Sequence, residues 1–388
     1  MRKPALQQFP FWNSTRTREA WDWGGATVAL RYHRAGAHVN PATIGNPGHL
    51  EISSQFQSLN SNEFPYYRSG IYWLPSFQDD RNFYMPSISV TKDRWAFSYQ
   101  LSYFDLGEEV RTDPSGRRIG TFSSHEQAHT FTAAYRWSDH LSFGAGINII
   151  RSKLVPGGLV IGGSETQVGS SVALDLGVYG QYPYWFNDNI KLTPSAGWSL
   201  TDFGSKIKYS ERANGDPLPM KMRGGLGLKL ELTESVDDIE FLKGKTPFSV
   251  AFYQSFEKLM ARTDLSGNSM GPFEALFSSW DTYPRDTGPH MVSHPLGEQI
   301  DQRGGLEVIV FDMLSFRHGY YNVAEANGGG KRTYFGFGLH YKMVSLDYLD
   351  QDIDSESYLQ PYDAFWQLSL AFSVDQVQGL FGGANNIN

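Results

Sequence analysis

The chain has 388 residues, no cysteine, a formal net charge of −8 and an aromatic content of 15%. The missing cysteines exclude a disulfide framework, a thiol nucleophile and a thiolate metal site, and the negative charge argues against nucleic acid as the main partner. No run of eighteen apolar residues occurs, so no transmembrane helix is available; this says nothing of β-barrels, whose strands mix polar and apolar residues.

Residues 1–23 carry Arg2, Lys3, Arg16 and Arg18 without a continuous apolar stretch, so a signal peptide is expected to lie outside this numbering if the protein is exported. The N-terminal 48 residues are not strand-like. They contain the small apolar run Gly24 to Leu30 and the sequence Asn40-Pro41-Ala42. A free arm has little use for that apolar run, and residues 1–48 are expected to fold into a barrel mouth as a hatch or plug.

Strand candidates begin at His49 and number fourteen: 49–57, 82–90, 94–104, 125–136, 140–153, 168–182, 189–200, 219–231, 247–259, 299–311, 314–322, 332–341, 343–350 and 364–374. The clearest is 94–104, where Trp95, Phe97, Tyr99, Leu101 and Tyr103 alternate with Ala96, Ser98, Gln100 and Ser102. Side chains of a strand change face at every residue, so one face is large and apolar and the other small and polar. Strand 140–150 repeats the pattern with Leu141, Phe143, Ala145, Ile147 and Ile149 on the apolar face, and 364–374 does so with Trp366, Leu368, Leu370 and Phe372. Charges in the Gly-rich strands (Lys221, Arg223, Lys229, Arg303 and Glu307) are assigned to the lumen.

The connections alternate between short and long. Thr91 to Asp93, Trp137 to Asp139, Pro183 to Asp188, 232–246, Asp312-Met313 and Lys342 are short; 58–81, 105–124, 154–167, 201–218, 260–298, 323–331 and 351–363 are long. Short turns at one rim and long loops at the other mark an outer-membrane barrel. The expected fold is therefore all-β, a 14-stranded antiparallel transmembrane barrel over 49–374. Segment 1–48 is its hatch and 375–388 a C-terminal periplasmic tail.

Gly24 to Ala42 resembles the N-terminal hatch region of FadL-like barrels. Tyr103 to Gly107 with Thr112 to Gly116 and Gly120 to Phe122, then Gly144 to Leu154, Leu200 to Ile207 and Arg317 to Tyr321, are similar to one branch, the PorV (LptO) family of type IX secretion. The resemblance covers most of the chain in order through short motifs. Residues after Ala42 read Thr-Ile-Gly instead of Gly-Leu, the 260–298 loop is long, and a tail follows the last strand. It implies a barrel in the outer membrane of a Gram-negative bacterium, binding a SprA-like translocon and secreted cargo domains and delivering cargo to the surface attachment machinery. No cofactor and no enzymatic activity are implied.

Chemical readings compete with bland ones. His125 and His129 share a strand face but stand roughly 13 Å apart in extended chain, too far for one metal. His290 and His294 lie near Asp281 and Asp286 in the longest loop; solvated loop polarity is the stronger reading. Asp350, Asp352, Asp354 and Glu356 have the spacing of an oxygen-ligand cation loop without the glycine at its turn, so a solvated or lipopolysaccharide-facing acidic loop is expected. Gly328 to Gly330 before Lys331 returns to a strand and reads as a hairpin loop, not a phosphate cradle. No GxSxG elbow occurs, and a lipid A deacylase activity finds no support.

Two functions remain: a secretion-system barrel, and a FadL-type transporter of hydrophobic small molecules. The candidate partner-binding residues are Phe273, Phe277, Trp280 and Tyr283 of loop 260–298, where contiguous aromatics are costly to leave in water. The competing expectation is that these aromatics fold over the barrel mouth as a cap.

Overall fold

The structure is a computed structural model that describes residues 27–30, 36–44, 49–58, 82–112, 115–154, 160–161, 164–211, 215–234, 239–240, 242–262, 268–286, 291–354 and 365–373. Fourteen strands form its wall. They are β1 His49–Ser58, β2 Asn82–Lys92, β3 Trp95–Thr112, β4 Arg118–Arg136, β5 Leu141–Lys153, β6 Gly169–Gln181 and β7 Ile190–Gly204. The second half contributes β8 Lys221–Leu232, β9 Phe248–Leu259, β10 Ile300–Val310, β11 Leu314–Asn322, β12 Lys331–Tyr341, β13 Val344–Asp354 and β14 Phe365–Ser373. Each pairs antiparallel with its neighbours in sequence, and β14 pairs with β1 through contacts such as Leu50 with Phe372, so the sheet closes on itself. Closure removes the two open edges that a flat sheet of this length would leave unpaired. Among the described residues no helix is long and apolar enough to cross a membrane.

Alternation decides the two faces. Every strand carries an exposed apolar side chain on the outer wall: Ile52, Ile88, Phe97, Phe131, Ile147, Leu174 and Trp198 on β1 to β7, and Leu226, Phe252, Leu306, Phe316, Phe335, Leu346 and Leu368 on β8 to β14. Their neighbours turn inward and are buried, as with Gln100, Ser102, Thr130, Thr132, Gln367 and Ser369. An apolar outside and a polar, buried inside invert the arrangement of a water-soluble barrel. Aromatic side chains crowd the rim of short turns, where Trp95 lies 4.7 Å from Tyr135 and Tyr184 5.0 Å from Phe186 between ring centroids.

The strand count matches the expectation one for one, but several ends move. The segment expected as loop 105–124 is mostly ladder: β3 runs on to Thr112 and β4 starts at Arg118. The pairing slips between Asp105 and Glu108, where Gly107 takes φ +79° and its N–H donates to the Asp105 carboxylate at 3.0 Å. A bulge breaks the alternation without ending the strand. β13 likewise continues through Asp354, so Asp350, Asp352 and Asp354 stand on extended chain facing Phe335, Thr333 and Lys331 in the neighbouring strand. That geometry replaces the expected acidic loop, and Glu356 lies outside the described residues. So do the C-terminal tail 375–388 and residues 1–26.

Candidate functional site

Inside the barrel, near the short-turn end, lie described parts of the N-terminal segment. Residues Thr27–Ala29, Gly36–His38 and Pro41–Thr43 form short 3₁₀ turns packed against β4, β5, β6, β7, β8 and β9. Asn40 is fully buried and organises them. Its side-chain nitrogen donates to the Val28 carbonyl at 2.8 Å and to the Val178 carbonyl of β6 at 3.1 Å, while its side-chain oxygen accepts the Ala42 N–H at 3.0 Å. Pro41 suits the first position of the turn, since its missing N–H needs no partner there. The barrel answers with Ser199 Oγ donating to the Val39 carbonyl at 2.6 Å and Ser195 Oγ donating to the Ala29 carbonyl at 2.8 Å.

Why the segment fits is a matter of register. Ala96, Ala134, Gly144, Gly177 and Ser199 are directly paired across five consecutive strands, β3 to β7, and all face inward. This row of small side chains leaves a groove. A Cβ at Gly144 would overlap the Pro41 carbonyl, and one at Gly177 would overlap the Asn40 side chain. Ala37 and Ile44 pack on Ala96 and Ala134 at the end of the row. Gly177→Val is therefore expected to expel the segment while leaving the lipid face untouched. The variant should keep heat-resistant migration on gels but show channel conductance in planar bilayers. Conductance no higher than in the parent protein would mean that the groove does not hold the segment in place.

A charged network lines the lumen on β8 to β10. Glu257, 2% exposed, meets Lys221 Nζ at 3.0 Å, Arg223 Nε at 2.7 Å and Arg303 at 3.4 Å. Arg223 also donates to Thr201 Oγ1 at 2.8 Å, and the Arg303 guanidinium lies 3.7 Å from the centroid of the Tyr321 ring. Asp301 accepts from Tyr321 Oη at 2.6 Å and from the Ala324 N–H at 2.8 Å. Further around, Arg317 bridges Glu307 at 2.9 Å and Asp347 at 2.7 Å. The charges assigned to the lumen from the sequence do face it.

Towards the long-loop end the inward face of β2 to β6 turns apolar. Phe83, Met85, Phe104, Ala128, Ile150 and Ala173 pack into one apolar cluster with Ile207 and Leu218 of the β7–β8 connection. Phe83 and Phe104 meet edge to face at 6.4 Å. The connection is tied down where Gln167 N–H donates to the Tyr209 carbonyl at 2.9 Å and Ser171 Oγ to the Ser205 carbonyl at 2.6 Å. On the same inner face Thr130 Oγ1 donates to Asn148 at 2.7 Å and Asn148 to Asp175 at 2.8 Å. No single stretch of sequence signals this cluster, since its members come from six separate segments; the inward phase of Phe83, Met85 and Phe104 within otherwise polar inner faces was the available sign.

Loop 260–298 carries helix α1, Pro272–Ser278, which lies against the outer wall. Ala275 is buried with Leu200, Met220 and Met260, flanked by Phe203, Met222 and Met270. Leu200 pairs with Leu176 and Met222, and Phe203 pairs with Leu174, so these residues share the outward face of β6 to β8. Phe273 meets Phe203 edge to face at 4.8 Å. The loop base is stitched by Arg262, 8% exposed, which donates to the Ser279 carbonyl at 3.2 Å and to Gln299 Oε1 at 3.3 Å.

Of the proposed partner-binding residues, Phe273, Phe277 and Trp280 are exposed, while the Tyr283 side chain lies outside the described residues. His125 and His129 face outward, stacked on Tyr103 and Tyr99 at 5.5 and 6.1 Å. His290 lies outside the described residues, and His294 bonds Glu298 at 2.9 Å. Glu325 joins that pair, with the three ligand atoms within 4.8 Å of one another. Gly328, Gly329 and Gly330 all take positive φ in the β11–β12 hairpin, as expected of a turn.

No protein-family model matches the chain, and neither does any curated protein. Among solved structures the chain is similar to the Ralstonia pickettii toluene transporter TbuX, at 11% identity over 88% of this chain and 94% of that one, with a TM-score of 0.43. It is similar to the CymD monoaromatic hydrocarbon channel at 12% identity, over 92% and 97%, with a TM-score of 0.43. A Pseudomonas aeruginosa FadL homologue matches at 11% identity, over 90% and 96%, with a TM-score of 0.40.

Proposed function

We propose that this barrel resides in the outer membrane and admits small hydrophobic molecules. The observation that carries the reading is the apolar cluster inside the barrel. An aqueous pore lines its lumen with polar groups, whereas Phe83, Met85, Phe104 and Ile150 are apolar and buried there, 6% exposed or less. An apolar ligand would take the place that Ile207 and Leu218 hold against them. No group-transfer chemistry is part of this reading: the cluster binds.

A fluorescent fatty acid or an aromatic hydrocarbon titrated against the purified protein tests the idea. Ile150→Asn should weaken binding about tenfold or more, because fully burying one large apolar side chain is worth about 1.5–3 kcal/mol and about 1.4 kcal/mol is a factor of ten. Unchanged affinity in a variant that keeps its heat-resistant fold would mean that the cluster does not bind the ligand.

A second reading keeps the type IX secretion role, with a SprA-like translocon or a cargo domain as partner. It is favoured by one observation, the exposed aromatics Phe273, Phe277 and Trp280 on an external face. Co-purification of a translocon protein from native membranes, lost on deleting 270–284, would support it over the transporter.

A further inference from the structure

α1 is built the wrong way round for a helix in water. Its small residues Ala275 and Ser279 are buried, 2% and 0% exposed, while Phe273 and Phe277, one turn apart, are 67% and 75% exposed. Trp280 extends the same ridge, with its indole N–H donating to the Leu276 carbonyl at 3.0 Å. A solvated amphipathic helix docks its large apolar face and exposes the small or polar one. This one exposes the large face although the wall beneath it is apolar.

The height of α1 on the barrel says what surrounds it. It rests at the level of Leu200 and Met222, and the row directly beneath is Trp198, Gly224 and Phe256, whose two large side chains belong to the exposed outer wall. The aromatics of the opposite rim on this flank include Trp185, which pairs with Lys191, itself opposite Glu231 on β8. Glu231 lies nine positions from Met222 along β8. Nine residues of strand span about 30 Å at about 3.3 Å each, or roughly 23 Å along the membrane normal at a tilt of about 40°. That is close to the apolar band of about 25 Å that outer-membrane barrels set between two aromatic girdles.

We infer that α1 is a membrane anchor: Phe273, Phe277 and Trp280 enter the acyl-chain and headgroup boundary of the bilayer at the long-loop rim, completing the second girdle. The inference rests on the barrel spanning a membrane, as in the reading above, and not on what it carries. The occupant is lipid because the ridge is continuous with the outer wall below and lies at the height where that wall's lipid should end. At such a boundary the Phe273 and Phe277 rings leave water for an apolar layer, and Trp is a residue enriched there.

The chain has no cysteine, so Phe277→Cys and Leu226→Cys each give a single site for a nitroxide label. Both parent side chains are largely exposed, 75% and 64%, so little packing is lost, and heat-resistant migration confirms folding. Collision with oxygen, which partitions into acyl chains, is compared with collision with water-soluble Ni(II)EDDA. The measurement is made in phosphatidylcholine–phosphatidylglycerol vesicles and in native membranes. Both labels are expected to favour oxygen several-fold in both settings. Leu226 reading lipid while Phe277 reads water would overturn the anchor and leave the membrane-spanning barrel standing. Both reading water would overturn the membrane reading and the anchor with it. A Phe277 label shielded from both reagents in native membranes alone would mean that a protein covers the ridge, which also overturns the lipid assignment.

Discussion

Glu257→Ala is expected to cost the barrel about 3–5 kcal/mol of unfolding free energy, the usual penalty for removing one partner of a buried ion pair. Lys221, Arg223 and Arg303 approach the same carboxylate within 3.4 Å, and each of the four side chains is 7% exposed or less. Without Glu257 three cations would share the lumen wall with their nearest counter-charge gone, in a setting that screens their repulsion poorly. Urea unfolding in lipid vesicles measures the loss. The informative contrast is Glu231→Ala, whose partners Lys191 and Lys229 have side chains 25% and 35% exposed. Pairs at that exposure are worth about 0–1 kcal/mol. Equal losses in the two variants would show that burial of the network is not what matters, and would sink the argument.

Leu226→Arg is expected to destabilise by about 2–4 kcal/mol, because a cation at the midplane of a barrel's lipid face has no water and no partner. Leu226 is 64% exposed near the middle of β8, on the face shared with Leu228 and, across the ladder, Gln254. Val110→Arg on β3 is the matched control. Val110 is 54% exposed as well, but it stands in the β3–β4 hairpin beyond the Gly107 bulge. Strands of eighteen and nineteen residues run to roughly 60 Å of chain, well past an apolar band of about 25 Å even when tilted. The cost there should fall to about 0–1 kcal/mol, the interfacial value. A large penalty at Val110 would mean that the hairpin lies in the bilayer, and a small one at Leu226 would mean that the outer wall does not face lipid.

Strand number, the two faces of each strand and the sorting of short from long connections were legible in the amino-acid order. Alternation is a property of neighbouring residues: Trp95 to Tyr103 and Leu141 to Ile149 declare their outward faces without reference to any partner strand. Ends were less legible, because a bulge such as the one at Gly107 breaks the period without breaking the ladder. Asn40-Pro41-Ala42 could be singled out by its resemblance to a hatch region, and its turn is a local capping arrangement. Its seat could not. The row Ala96, Ala134, Gly144, Gly177 and Ser199 exists only once five strands are set in register, and register is decided by closure of the whole barrel, not by any one segment. The same holds for the apolar cluster in the lumen, which gathers Phe83, Phe104, Ile150 and Ile207 from distant stretches. It holds too for α1, whose aromatics are plain in the sequence while their exposure and the wall the helix lies on are not. The residues that are apolar by nature are fixed by composition; whether they meet lipid, lumen or protein depends on contacts between segments far apart in the chain, which only the folded barrel supplies.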